Sequence, residues 1–120
     1  MNSLDLLPRT KAFAVRVIKL VDSLPKTRSA SVIGNQLLRS ATSVGANYRS
    51  AKRARSSAEF CSKLGIVEEE ADESVYWLEL LVESGLIAEN LLADLLREAH
   101  EIVAMVVASI KTARGHARAK

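Results

Sequence analysis

Apolar residues recur at alternating steps of four and three along most of the sequence, which is the spacing of one face of an α-helix. The second quarter of the chain keeps such a face over about five turns: Ile33, Leu37, Ala41, Val44, Tyr48 and Ala51. Two later runs repeat it: Phe60, Leu64, Val67, Ala71, Val75, Leu78 and Val82, then Leu92, Leu95, Ala99, Ile102, Val106 and Ile110. No strand pattern competes, so we predict an all-α protein.

Local signals divide these runs into four helices. Pro8 suits the first turn of a helix, Pro25 breaks the chain after it, and Gly85 can adopt the left-handed conformation that ends a helix. Ser56 and Glu59 have the spacing of a capping box, which predicts a helix start. Short connections between long helices favour an antiparallel up-down-up-down four-helix bundle. We predict helices over residues 8–23, 30–54, 57–84 and 88–113, with residues 114–120 frayed.

Length and composition narrow the class of protein. With 120 residues the chain has the size of one domain, which we assign to residues 1–120 and which can bury a core without disulfides. Cys61 is the single cysteine, and no signal-peptide pattern opens the chain, so we expect a cytoplasmic protein. No uncharged apolar run approaches the roughly 20 residues needed to cross a bilayer, so we expect no membrane contact.

The net charge of +3 conceals a division along the chain. Residues 1–66 carry twelve Lys or Arg against three Asp or Glu, whereas residues 67–110 carry one against eleven. Such segregation can neutralise neighbouring helices, or it can present a basic face to an anionic partner.

Two predicted helices are apolar around more of their circumference than one bundle needs. The additional residues are Ile66, Trp77 and Leu80 on the third helix, and Leu91, Leu96, Val103 and Val107 on the fourth. A helix of this kind must bury a second face. We therefore predict a homo-oligomer.

Residues with catalytic or metal-binding potential are few. His100 and Glu101 begin the H-E-x-x-H pattern of a helical zinc site, but Ala104 stands where the second histidine is needed, so we predict no metal and no cofactor. A nucleophilic Cys61 would need a base or a helix terminus to lower its thiol pKa, and its place in an amphipathic helix favours a structural role. We predict that the protein is not an enzyme.

One enzyme class stays open as an alternative. Glu69, Glu70 and Glu73 form E-E-x-x-E, and carboxylates at this spacing share a helix face, as a Mg²⁺ site requires. The all-α nucleotide pyrophosphatases of the MazG type resemble the chain in this motif. They add a second acidic motif, for which the fourth predicted helix offers only Glu98 and Glu101.

A longer stretch carries a more extensive resemblance. It reads QLLRSATSVGANYRSAKRARSSAEFCSKLGIVEEEADESVYWLELL. The residues that carry the resemblance are Gln36, Arg39, Ser40, Ser43, Ala46 and Asn47, then Glu59 and Phe60, then Glu70, Glu73, Tyr76, Trp77 and Leu78. In these positions the chain resembles the four-helix bundle proteins encoded in intervening sequences of bacterial 23S ribosomal RNA genes.

The resemblance implies an antiparallel four-helix bundle that assembles as a homopentamer. It also implies similarity to the accessory protein of diversity-generating retroelements, a nucleic-acid-binding adaptor for a reverse transcriptase. The candidate partners are therefore further copies of the chain, RNA or DNA, and a protein encoded nearby. Ser50 departs from the pattern, because many relatives carry an acid after the Asn-Tyr pair.

We interpret one set of residues on the second and third predicted helices as a structural network. Small and amide side chains let helices approach closely and offer hydrogen bonds, and Arg39 is a suitable partner for Glu70 or Glu73. If that pair is buried, removal of one partner costs about 3–5 kcal/mol. The network comprises Gln36, Arg39, Ser43, Asn47, Glu70, Glu73 and Trp77.

A basic cluster closes the second predicted helix: Arg49, Lys52, Arg53 and Arg55. We predict contact with nucleic acid there, with further charge from Arg9, Arg16 and Lys19 of the first helix, and an affinity that falls steeply with salt. Two alternatives stay open. The cluster can be a solvated face balanced by the acids of the third helix, or the protein can be an adaptor for other proteins that binds no nucleic acid.

Overall fold

Four α-helices make up almost all of the chain that the computed structural model describes, residues 5–119. They are α1 (Leu6–Asp22), α2 (Arg28–Ala51), α3 (Ser57–Glu83) and α4 (Glu89–Ala119). No strand occurs in this part of the chain, and the predicted all-α bundle is confirmed. None of its helices is long and apolar enough to cross a membrane.

Side-chain caps explain where the first three helices begin. Asp5 accepts a hydrogen bond from the amide of Leu7 at 3.1 Å, and Thr27 accepts one from the amide of Ala30 at 3.2 Å. Each bond satisfies an amide that the first helical turn leaves without a partner. The Thr27 cap starts α2 at Arg28, before the predicted start at residue 30.

The predicted capping box at α3 forms in a modified way. The hydroxyl of Ser56 accepts from the amide of Glu59 at 3.1 Å. The Glu59 carboxylate, however, accepts from the amide of Arg55 at 3.2 Å rather than from that of Ser56. At the other end of α3, Gly85 has a φ of +79°, which is the left-handed conformation predicted for it.

The largest differences from the predicted boundaries lie at the ends of α2 and α4. α2 ends at Ala51 rather than residue 54, because the next amides form tighter turns: that of Arg53 donates to the Ser50 carbonyl at 3.1 Å. α4 continues to Ala119, past the predicted end at 113, so residues 114–119 lie within the helix. Alanines in this stretch favour helix, and basic residues favour the carboxyl end of the helix dipole. Lys120 lies outside the described residues.

Contacts between helices define their directions. Gly34 lies beside Leu24, and Gly45 lies beside Thr10, so α1 and α2 run antiparallel. Ser40 bonds to Ser74 and Ser50 bonds to Lys63, so α2 and α3 also run antiparallel. The molecule measures 53 by 24 by 22 Å.

One cluster of buried apolar side chains from all four helices forms the core. The predicted face of α4 is buried throughout, from Leu92 to Ile110, and that of α2 is buried from Leu37 to Ala51. Two of the additional apolar residues stay exposed, Leu91 at 72% and Ile66 at 43%, while the other five are half-buried. Tyr76 of α3 is 53% exposed. The second apolar face is therefore only partly covered within one chain.

Candidate functional site

The interface between α2 and α3 holds part of the predicted polar network. Nη1 of Arg39 donates to Glu70 at 3.2 Å, and Nη2 donates to Glu73 at 2.6 Å. The indole nitrogen of Trp77 donates to the same Glu73 oxygen at 3.3 Å. The structure therefore brings together four of the predicted residues, three of them on successive turns of α3.

The Arg39 cluster lies at the surface of a single chain. The Arg39 side chain is 51% exposed. The cost of about 3–5 kcal/mol that we expected for removing one partner of a buried pair therefore does not apply. The hydrogen bond from Arg39, with smaller help from Glu70 and Trp77, lowers the pKa of the Glu73 carboxyl below its ordinary value. Solvent-exposed ion pairs of this kind contribute little to stability unless a partner covers them.

The rest of the predicted network does not bond across the interface. Ser43 donates to the carbonyl of Arg39 at 2.8 Å, and Asn47 donates to the carbonyl of Ser43 at 2.9 Å, both within α2. The Gln36 side chain is half-buried and forms no hydrogen bond to any residue that the structure describes. Their spacing was compatible with cross-helix bonds, but hydroxyl and amide groups in a helix readily bond to the carbonyl one turn earlier.

Ser50 gains a partner in the structure. It accepts a hydrogen bond from the ammonium group of Lys63 at 2.6 Å, which links the end of α2 to the start of α3. A carboxylate at this position would form an ion pair with Lys63. The serine keeps the contact between the helices but leaves more positive charge at this end of the bundle.

Arg9 is a structural residue that the sequence argument placed on the basic surface instead. Its guanidinium binds Glu98 through two nitrogens, with Nε to Oε2 at 3.0 Å, and Nη2 also reaches Glu101 at 3.3 Å. These bonds tie α1 to α4, so the charge that Arg9 was expected to add to the basic surface is paired within the chain. One signal was available: Arg9 lies four residues before the buried Phe13, at the edge of the core face of α1.

Unlike Arg9, the predicted nucleic-acid-binding residues form no ion pair within the described chain. Arg49, Lys52, Arg53 and Arg55 are exposed around the end of α2 and the turn that follows. None of their side chains forms an ion pair with a residue that the structure describes. The nearby acid Glu59 lies 3.9 Å from Lys63 instead. Within the described chain, the four cations therefore make no direct ion pair with the acids of α3.

The acidic residues of the pyrophosphatase alternative lie apart. Glu70 and Glu73 bind Arg39, and Glu98 and Glu101 bind Arg9. In the described part of the chain, no three His, Cys, Asp or Glu side chains are grouped to hold a metal ion. Arginine binds four of the five carboxylates named for a Mg²⁺ ion, and only Glu69 has no ion pair in the described chain.

Comparisons with known proteins agree with this architecture. Residues 2–108 match the family model of the 23S rRNA-intervening sequence protein. The structure is similar to the crystal structure of a protein of unknown function from the S23 ribosomal protein family of Bacteroides thetaiotaomicron. That similarity has a TM-score of 0.84 and 36% identity, and it covers 89% of this chain and 99% of that chain. Comparison with curated proteins gives no match. The chain belongs to the 23S rRNA-intervening sequence protein family.

Proposed function

We propose that the protein is a non-enzymatic homo-oligomer, pentameric as the family resemblance implies, that binds nucleic acid and acts as an adaptor or scaffold. The contact with nucleic acid is made by Arg49, Lys52, Arg53 and Arg55. The observation that carries the proposal is the clustering of these four cations on one short segment, where they differ from the paired Arg9 and Arg39. Arg9 and Arg39 bind carboxylates, whereas the four at the end of α2 are exposed and without ion pairs in the described chain.

Exposed, unpaired cations on a short segment suit a phosphate backbone. Binding releases the counterions condensed on the nucleic acid, and this gain does not require the loss of an existing ion pair. One chain offers only a few such contacts. A homo-oligomer repeats the cluster around its symmetry axis, and simultaneous contacts raise the apparent affinity without any new interaction.

The binding mode is predicted to depend on charge more than on base stacking. The chain has two Tyr, two Phe and one Trp, and none of the four proposed contact residues is aromatic. Stacking on aromatic side chains is the usual route to tight binding of single strands. We therefore expect affinity for both single- and double-stranded forms, with little preference for sequence.

Filter binding tests the proposal with single- and double-stranded RNA and DNA of matched length. The protein is expected to retain nucleic acid at low salt and to lose it as salt rises. The variant Arg49→Gln/Arg53→Gln is expected to bind more weakly. The slope of log K against log salt should decrease by about 0.7 to 0.9 for each phosphate that the variant no longer neutralises.

A matched control removes two cations from the other end of the bundle. Lys26 and Arg28 are exposed at the start of α2, so Lys26→Gln/Arg28→Gln changes the net charge equally. This variant should bind like the wild type. Absence of retention at low salt contradicts the proposal, and equal effects of the two double variants contradict the assignment of the site.

An adaptor role without nucleic acid has separate support. Val32 is 56% exposed and Leu91 72% exposed, and both lie near the start of their helices, at the end of the bundle away from the basic cluster. Contiguous exposed apolar surface marks protein contact sites, and these two side chains would contribute to one. A folded, assembled protein that retains no nucleic acid at low salt would favour this function.

A further inference from the structure

The outer face of α1 carries an apolar stripe with one cation. Leu7, Lys11, Ala14 and Ile18 follow one another at helical steps, and Leu7 is 38% and Ile18 41% exposed. We call these four residues the α1 stripe. The stripe borders a groove of about 470 Å³ between α1 and α2, in which Lys11 and Arg49 are the charged lining residues.

A second stripe lies on the outer face of α3. Ile66, Glu69, Glu73, Tyr76 and Leu80 follow one another at steps of three and four, and we call them the α3 stripe. Ile66 is 43% and Tyr76 53% exposed. Glu69 is exposed and forms no ion pair with any side chain that the structure describes. The stripe borders α2, because its Glu73 binds Arg39.

The two stripes have opposite charges. The α1 stripe carries one cation and no acid, whereas the α3 stripe carries acids and no cation. Two copies of either stripe would repel each other, so a contact between identical surfaces is unfavourable. A contact between unlike surfaces pairs the charges and covers the apolar residues of both.

The stripes also match in height along the bundle. Thr10 contacts Gly45, so Lys11 lies level with that part of α2. Ser40 bonds to Ser74 and Ser50 bonds to Lys63, and residue 45, midway between, therefore lies level with residues 68–69 of α3. Lys11 and Glu69 are consequently at the same height.

The same register aligns the apolar residues of the stripes. Leu7 lies one helical turn before Lys11 on α1, and Ile66 lies one turn before Glu69 on α3, so Leu7 and Ile66 are at the same height. Ile18 and Tyr76 lie two turns after Lys11 and Glu69, so they are also at the same height. In a ring whose axis is parallel to the bundle, neighbouring subunits are related without a shift along that axis, so residues at equal height meet.

We propose that the α1 stripe of one copy binds the α3 stripe of the next copy, with Lys11 facing Glu69. This inference rests on the homo-oligomer of the proposed function and assigns its contact surfaces. Because the two stripes lie on different sides of one bundle, the contact is head-to-tail and is repeated from subunit to subunit. A side of the molecule measuring 53 by 22 Å is large enough for the roughly 800 Å² that each partner buries in a stable interface.

Charge reversal tests the pairing. Native mass spectrometry and light scattering of Lys11→Glu and of Glu69→Lys should each show dissociation, with a subunit dissociation constant raised at least about tenfold, because like charges then face each other. The double variant Lys11→Glu/Glu69→Lys restores opposite charges and should assemble again. Circular dichroism checks that each variant keeps its helices.

Matched controls reverse exposed charges outside the stripes. Lys19→Glu on α1 and Glu79→Lys on α3 should assemble like the wild type. Neither experiment alters the four proposed nucleic-acid contacts, so the assembly surface is tested apart from the basic cluster.

Cross-linking provides an independent measurement. A carbodiimide joins an amine to a carboxylate in direct contact, and a mixture of ¹⁴N- and ¹⁵N-labelled protein distinguishes links between copies from links within one. We expect mixed-isotope peptides that join Lys11 to Glu69. Their absence from the assembled protein overturns the inference, as does a double variant that remains as dissociated as the single variants.

The outcomes separate this inference from the proposed function. A wild-type protein that is monomeric at all concentrations overturns both the oligomer and its contact surfaces. An oligomer whose assembly is unchanged by both charge reversals overturns only the proposed contact surfaces. An oligomer with the expected cross-link that retains no nucleic acid supports the surfaces and overturns the nucleic-acid part of the proposed function.

Discussion

The hydroxyl oxygens of Ser40 on α2 and Ser74 on α3 lie 3.0 Å apart at a point where both side chains are completely buried. The Ser74 hydroxyl also donates to the carbonyl of Glu70 at 2.9 Å, so Ser40 can donate to Ser74. Two small side chains let the helices approach closely, and each polar group keeps a partner.

Removal of these hydroxyls one at a time and together tests their coupling. Ser40→Ala should lower the free energy of unfolding by about 0.5–1.5 kcal/mol, because one buried hydrogen bond is lost. The double variant Ser40→Ala/Ser74→Ala should cost less than the sum of the single variants, since both partners are then apolar. Urea denaturation of the four proteins gives the cycle, and strictly additive costs would contradict the bond.

Two arginines provide a comparison between a buried and an exposed ion cluster. The Arg9 side chain is 14% exposed and that of Arg39 51% exposed. Arg39→Met should cost about 0.2–1 kcal/mol within one chain, as exposed pairs do. Arg9→Met should cost about 1.5–3 kcal/mol, because it removes hydrogen bonds to a largely buried carboxylate.

Urea denaturation at several protein concentrations measures both costs. A cost of Arg39→Met that grows with protein concentration would show that assembly covers the cluster. Equal costs for the two arginines contradict the role assigned to burial. Unchanged assembly and melting temperature in Arg39→Met contradict a structural network at this position.

The lowered pKa of Glu73 predicts a dependence of stability on pH. The charged carboxylate stabilises the folded state, and the pKa is lower folded than unfolded, where it is about 4.3. This stabilisation is therefore complete above the unfolded pKa and is lost as the pH falls through the folded pKa. The stability difference between the wild type and Glu73→Gln should be constant from about pH 7 to pH 5 and shrink in more acid solution. Denaturation at each pH measures it, and a difference that grows towards acid would reverse the assigned sign.

Two helical glycines are predicted to respond differently to alanine. A Cβ at Gly65 would meet nothing within 4 Å, so Gly65→Ala should stabilise the protein by about 0.5–1 kcal/mol through helix propensity. A Cβ at Gly45 would lie 3.3 Å from the Thr10 hydroxyl and 3.5 Å from its carbonyl carbon, so crowding of α1 offsets the gain. Thermal denaturation compares the variants, and an equal gain at both positions would show that α1 does not contact Gly45 closely.

Local signals in the sequence were sufficient for much of the fold. The predicted apolar faces of α2 and α4 are buried in the core. Ser56 caps the start of α3, and Gly85 has the left-handed conformation after its end, as their residue types predicted. These features depend on residues within one or two turns of each other, so no knowledge of neighbouring helices is needed. Boundaries were predicted less accurately, since Thr27 caps α2 and α4 extends past its predicted end.

The candidate site was only partly accessible from the sequence. Opposite charges on adjacent helices suggested Arg39 with Glu70 and Glu73, and the structure contains that contact. Ser43 and Asn47 followed the same stripe, yet they bond to carbonyls of their own helix. Spacing determines which face a residue occupies, but it does not determine whether the side chain finds a nearer partner.

The sequence by itself determined four amphipathic helices, their approximate limits and a basic segment at the end of the second helix. Each of these features depends only on residues that are close together in the chain. Only the tertiary structure decided which charges are paired. Arg9 meets Glu98 across 89 positions of the chain, while Arg49 and Arg53 meet no acid in the described residues. Whether a cation is neutralised depends on which helix faces it and at what height, and the packing of the bundle sets both.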